Sequence, residues 1–253
     1  MRILLIGTGK LAFHLGHALA GSDLDLIGIV GRDRDRTDRL AQQIGTSSFQ
    51  LNAPLPTADL ILIAVSDSAI AEVSNAIGTT AATVVHTSGA SPIGLLSQHE
   101  QHGVLWPIQT FGTDRPIDLK SVPLIYEGNN EAAITEIRRL AEALGDRVME
   151  LTHEDRTLLH ISAVIMGNFP VFLLKKAQEL LTGRSVDPSL LDELWGTMAE
   201  NAIAMGPREA LTGPAARGDL PTIDRHLQAL RTDPDLQRTY RLLSEMIMKE
   251  MRG

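Results

Sequence analysis

Met1-Arg2-Ile3-Leu4-Leu5-Ile6-Gly7-Thr8-Gly9-Lys10-Leu11-Ala12 opens the chain, and its reading decides the fold. Ile3 to Ile6 is a short apolar run of the kind that forms a buried strand. Gly7, Gly9 and Ala12 follow it at G-x-G-x-x-A spacing, and Leu11, Leu15, Ala18 and Leu19 then recur at helical intervals. Gly7 suits a tight turn out of the strand, Gly9 lets a ligand approach the backbone, and Ala12 lets the helix pack closely on the strand. Thr8, Lys10 and Leu11 complete the turn. A helix that starts there points unpaired N–H groups and the positive end of its dipole at the turn, which favours phosphate. An ordinary glycine turn is the competing reading, but strand, glycines and amphipathic helix occur in the order that a phosphate site needs.

Further along, apolar runs at Leu26–Val30, Leu60–Val65, Thr83–His86 and Val122–Tyr126 alternate with helix-like stretches. Such alternation predicts parallel βαβ units. Glu131 to Leu144 is helical by its spacing of Ile134, Ile137, Leu140 and Leu144, with Gly145 at the C-cap and a last strand expected over Arg147–Leu151. After Thr152 no strand is evident. Helices are expected over Asp155–Leu181, Pro188–Met205 with Asp187 as N-cap, Pro221–Ala229 and Pro234–Met251, with a shaped loop over Leu211–Asp219. The chain is therefore divided into 1–152 and 153–253, an α/β domain followed by an all-α one.

The 253 residues include no cysteine, which excludes thiolate metal sites, thiol nucleophiles and disulfides, and no metal site is expected. A formal net charge of −8 argues against a nucleic-acid partner. The N-terminus lacks the pattern of a signal peptide. Ile161 to Leu174, the longest apolar stretch elsewhere, has about 14 residues against the roughly 20 that span a bilayer, and reads as a buried helix. A cytoplasmic protein with no membrane partner is expected. The apolar helices offer more hydrophobic face than the C-terminal part alone can bury, which predicts a homodimer.

The second strand ends in Gly31-Arg32-Asp33, where a domain that binds NAD usually carries an acidic residue for the ribose hydroxyls. Gly31 leaves room there and Arg32 can meet a 2′-phosphate with a planar charged fork, so NADP is favoured over NAD. Arg32, Arg34 and Arg36 also fit a solvated helix entry, and Asp33 also fits a ribose contact. Val65, Ser66 and Asp67 lie at the end of the next core strand, where ligands of open α/β sheets gather, although a helix cap fits Ser66 and Asp67 equally well. The same logic places His86 and Ser88 near a nicotinamide or substrate.

Gly7 to Ala12, Val65-Ser66-Asp67, His86-Thr87-Ser88-Gly89, Trp106 to Phe111, His160 with Asn168, Leu211-Thr-Gly-Pro with Arg217-Gly-Asp219, and His226 together resemble a family of Rossmann-like proteins. Its members carry a helical C-terminal domain of unknown function and are related to NADP- or deazaflavin-dependent oxidoreductases. The resemblance covers essentially the whole chain. It implies a Rossmann domain followed by a helical domain like that of 6-phosphogluconate dehydrogenase, as in pyrroline-5-carboxylate reductase and ketopantoate reductase, with a small-molecule substrate between the two. The hydroxyacid dehydrogenases place a lysine four residues before an asparagine on the first interdomain helix; here that position is Val164.

His160 is then the first choice as proton donor, beside a structural role of equal weight, and Asn168 would orient substrate. His86, Gln109, Thr110, Thr212 and Arg217 are candidate substrate contacts, Arg217 for an anionic group unless it pairs only with Asp219. The expectation is an NADP-dependent oxidoreductase of a small, anionic carbonyl, imine or hydroxy compound. The alternative is a dinucleotide-binding or sensing protein without turnover.

Overall fold

A computed structural model describes residues 1–112 and 115–252. The chain divides into two compact units, Met1–Met166 and Gly167 onward.

The first unit is built on one eight-stranded sheet: β1 (Arg2–Ile6), β2 (Asp25–Gly31), β3 (Ser48–Gln50), β4 (Leu60–Ile63), β5 (Thr83–His86), β6 (His102–Pro107), β7 (Leu124–Gly128) and β8 (Val148–Glu150). Their spatial order is β3-β2-β1-β4-β5-β6-β7-β8. All pairs are parallel except β6 with β7. The order reverses between β1 and β4, the switch point at which open α/β sheets form their ligand crevice. Helices α1 (Lys10–Ala20), α2 (Arg34–Ile44), α3 (Ile70–Ile77), α4 (Glu131–Leu144) and α5 (His153–Ala163) complete the unit. Leu15 and Leu19 of α1 and Ile137, Leu140 and Leu144 of α4 are buried in one hydrophobic cluster with Ile3, Leu5 and Leu62. Ile70 and Val73 of α3 lie in another with Leu4, Ile6 and Ile63. Alternate residues of β1 thus feed opposite faces of the sheet.

Strands β3 and β6 escape the sequence reading. Every residue of β6 is buried, so it carries no period-two alternation, and it ends inside the Trp106–Phe111 segment. Its partner β7 runs antiparallel to it, against the expectation of parallel units throughout. Gly145 is the C-cap of α4 as expected, with extended backbone.

In the second unit, α6 (Phe169–Glu179) and α7 (Asp192–Met205) are joined through a short turn that Asp187 caps by accepting the Ser189 N–H at 2.9 Å. Helices α8 (Pro207–Ala210), α9 (Gly213–Arg217), α10 (Leu220–Ala229) and α11 (Pro234–Arg252) follow. Ala215, Ile223 and Leu227 form a small core with Tyr240, Ile247 and Met248. The Leu211–Asp219 segment is not an irregular loop as expected, because it contains α9. Pro214 suits the first turn of that helix, and Gly218 closes it in the left-handed region at φ 69°.

The expected burial of Ile161–Leu174 is also corrected: Ile161, Ile165, Phe169, Val171 and Phe172 are exposed, and neither α6 nor α7 has a buried residue. The helical run His153–Glu179 is continuous, with a π-helical turn at Val164–Asn168, and is long and apolar enough by length and composition to cross a membrane.

Candidate functional site

The Gly7 backbone has φ 137°, a region open to glycine, and a Cβ there would overlap the carbonyl oxygen of Ala64 on the neighbouring strand. Strand β1 therefore turns tightly into α1. Gly9 stands at the N-cap of α1, no side chain caps the helix, and no heavy atom lies within 4 Å of where a Gly9 side chain would begin. The orphan N–H groups of the first turn and an open cradle thus coincide.

This cradle is one wall of a cavity of about 530 Å³ at the switch point. Gly7, Thr8, Gly9, Lys10 and Leu11 line it from the turn, Gly31, Arg32 and Asp33 from the end of β2, Arg36 from the first turn of α2, and Val65 and Ser66 from the end of β4. Of the residues proposed for cofactor, these come together. Asp67 opens a short 3-10 turn and is not in the lining, and Ser88 lies one strand further on. Ser66 makes no side-chain cap to that turn, so the capping reading of this residue does not hold. Asp33 is the N-cap of α2, and its Oδ1 accepts the Arg36 N–H at 3.0 Å. Arg32 meets Glu72 of α3 at 3.2 Å in an exposed ion pair. Arg36, left in the sequence reading as part of a helix entry, completes with Lys10 and Arg32 a set of three cations on the cavity wall.

A second cluster surrounds the loop after β5. Ser88 accepts the Ser91 N–H at 3.0 Å and the Ala90 N–H at 3.3 Å, so its hydroxyl is spent on shaping that loop. His86 is fully buried behind it, with Nδ1 accepting the Ser88 N–H at 3.2 Å. Burial pushes its pKa down to about 4, with the Arg156 guanidinium adding to the effect. The ring is therefore neutral at pH 7 and braces the loop from inside. His160, half-buried on α5, stands with its ring 5.4 Å from that of Trp106. Both rings close on Gly89: a Cβ there would lie 2.5 Å from Trp106 and 2.8 Å from His160. Sequence reasoning singled out His86, Ser88 and His160 but missed Arg156, which hydrogen-bonds the Gly89 carbonyl at 2.7 Å.

The remaining candidates are divided between the two units. Gln109 and Thr110 are exposed, and the Gln109 amide oxygen is turned back onto the Thr110 N–H at 2.8 Å. Asn168, Thr212 and Arg217 belong to the second unit and are exposed there. Asp219 caps α10 through the Thr222 N–H at 3.2 Å rather than pairing with Arg217. The π-helical turn falls between His160 and Asn168, so a count of 3.6 residues per turn no longer relates their faces. Among the described residues, no cluster of histidine and carboxylate groups is arranged to hold a metal ion.

Strand order, glycine turn and cavity define the first unit as a Rossmann-like domain. The Rossmann-like domain family matches residues 1–109, and a domain of unknown function, DUF2520, matches residues 122–247. The chain is 32% identical to a protein from Bacteroides fragilis described as a candidate NADP oxidoreductase, with 98% of each chain covered and a TM-score of 0.88. It therefore belongs to the family of Rossmann-like proteins with a C-terminal DUF2520 domain. The protein TM1727 from Thermotoga maritima is 23% identical over 99% of this chain and 98% of its own, with a TM-score of 0.77. A 1-pyrroline-5-carboxylate reductase from Streptococcus pyogenes shares the fold at 13% identity, with 98% of each chain covered and a TM-score of 0.63. No curated protein matches the chain in sequence.

Proposed function

We propose that the protein is an NADP-dependent oxidoreductase acting on a small, anionic carbonyl, imine or hydroxy compound. The observation that carries this reading is the switch-point cavity, which joins an uncapped helix N-terminus to Lys10, Arg32 and Arg36 while the carboxylate in its lining, Asp33, is engaged as a helix cap and Glu72 pairs with Arg32 from outside the lining. Gly7 to Leu11 would hold the pyrophosphate, and Arg32 and Arg36 the 2′-phosphate. The 32% identity to the Bacteroides fragilis protein supports the same class.

When bound, the nicotinamide supplies or takes the hydride. His160 carries the proton at one of its ring nitrogens, since it is the partly exposed imidazole of the β5 loop cluster, whereas His86 is sealed and neutral. Trp106 gives the loop an apolar, water-excluding wall. In the same reading Arg217 meets an anionic substrate group, Asn168 offers a neutral amide and Thr212 a hydroxyl.

The unit that begins at Gly167 functions as a homodimer in this reading. Phe169, Phe172, Leu190, Leu194 and Ile203 expose large apolar surfaces, the last to 87%, and such surface on a globular chain marks an interface. A second copy covers it rather than lipid, because the same helical run contributes Arg156 to an ion pair with Glu127 of β7.

Parallel titration calorimetry of the purified protein with NADPH and NADH tests the assignment. Selective NADPH binding that weakens in Arg32→Ala supports it, and absence of binding by either nucleotide overturns it. Binding without consumption of NADPH across a screen of carbonyls and imines would instead identify a sensor.

A further inference from the structure

Arg156 is fully buried, the only Lys, Arg, Asp or Glu side chain so placed among the described residues. A buried cation is tolerated only when it is paired and its donors are satisfied. Glu127 answers the charge: its Oε2 accepts from Nε of Arg156 at 3.1 Å and stands 3.1 Å from Nη2 in the same ion pair. The rest of the fork goes elsewhere. Nη1 donates to the carbonyls of Gly89 at 2.7 Å and Ser88 at 3.3 Å, and Nη2 lies 3.1 Å from Nδ1 of His153. The carboxylate neutralises the charge and the two carbonyls satisfy Nη1, so the buried fork is filled only when the β5 loop lies in this conformation.

Peptide groups are planar, with C=O and N–H on opposite edges. Fixing the Ser88 and Gly89 carbonyls on Arg156 therefore fixes the direction in which the Gly89 and Ala90 N–H groups point. Arg156 and His160 are four residues apart on α5 and share a face. The guanidinium thus grips the loop by its carbonyls while His160, one turn later, meets the Gly89 α-carbon from the side that Trp106 also covers.

We propose that Arg156 is the positioning residue of the β5 loop, fixing the Ser88–Gly89 peptide planes and the rotation of α5 so that His160 is held against Gly89 and Trp106. The proposal rests on the oxidoreductase reading, in which this loop faces the nicotinamide and His160 handles the proton. A lysine cannot replace it, because a compact ammonium lacks the planar five-donor fork that reaches a carboxylate and two carbonyls at once.

The test compares the native protein, Arg156→Lys and Glu127→Gln, all carrying Trp195→Phe so that Trp106 is the sole tryptophan. Without cofactor, NMR follows the Gly89 amide resonance and the titration of the His160 ring. With NADPH as probe, the readouts are its dissociation constant and the nicotinamide emission sensitised by Trp106. In Arg156→Lys the Gly89 resonance and the His160 titration move and the sensitised emission falls by more than half. The dissociation constant meanwhile stays within about threefold, since the Gly7–Lys10 turn is untouched. A folded Arg156→Lys protein with native Gly89 and His160 signals overturns the proposal. Should that variant not fold, Glu127→Gln decides by the same resonances, a native pattern again overturning it. If the native protein binds no NADPH, the dinucleotide reading falls, and the cofactor-free resonances still decide whether Arg156 holds His160.

Discussion

The Asp33 carboxylate accepts the backbone N–H of Arg36 at 3.0 Å, and its other oxygen stands 3.5 Å from the guanidinium of the same residue. This carboxylate at the end of β2 is thus committed to starting α2, where it meets the positive end of the helix. Asp33→Ala should cost about 1 kcal/mol of stability through the lost cap and leave NADH affinity unchanged. Arg36→Ala should weaken NADPH about tenfold, equivalent to one lost charge-assisted contact, without affecting NADH. Calorimetry on both variants checks the pair, and a loss of NADH affinity in Asp33→Ala would return that residue to the ribose.

Gly7→Ala should destabilise the first unit by about 3 kcal/mol or prevent folding, because the backbone at φ 137° is strained for alanine and the methyl group overlaps the Ala64 carbonyl. Denaturant unfolding measures this. A variant as stable as the native protein would show that the β1–α1 turn relaxes into another conformation.

Acid should destabilise the fold through His86. Its folded-state pKa of about 4 lies below the ordinary value near 6.5, so the unfolded chain takes up more protons over that interval. Stability is then full above about pH 6.5 and declines as the pH falls toward 4, by about 2 kcal/mol at pH 5. His99, lowered chiefly by burial and also by His102, adds to the same slope. Urea unfolding at pH 7.5 and 5 should show the loss, and His86→Gln should remove the larger part of it. An equal slope in the variant would assign the effect to other groups.

Phe172→Asp on α6 should convert the proposed dimer to a monomer of 27.4 kDa in sedimentation velocity while leaving NADPH binding unchanged. Native protein that sediments as a monomer at every concentration would remove the second copy from the proposal.

Much of the first unit was legible because its signals are local. The Gly7–Ala12 turn, the Leu15 and Leu19 face of α1 and the apolar run of β4 each follow from spacing within a dozen residues. β6 was not legible, since a strand buried on both faces has lost the alternation that reveals strands. Arg156 was invisible for a related reason: in His153-Glu154-Asp155-Arg156 it reads as part of a solvated first turn of helix. The Ile161–Leu174 run was recognised as apolar, but its exposure depends on what surrounds it.

Taken alone, the sequence determined the glycine turn, the helix start that follows it, the change from alternating strands to continuous helix, and the residue types available for chemistry. The tertiary structure alone decided the strand order β3-β2-β1-β4, the commitment of Asp33 to a cap, and the meeting of Arg156 with a carbonyl 67 residues earlier in the chain. The physical reason is range. Turn geometry and amphipathic period are written in neighbouring residues, whereas the partner of a buried charge depends on which distant backbone the fold carries to it.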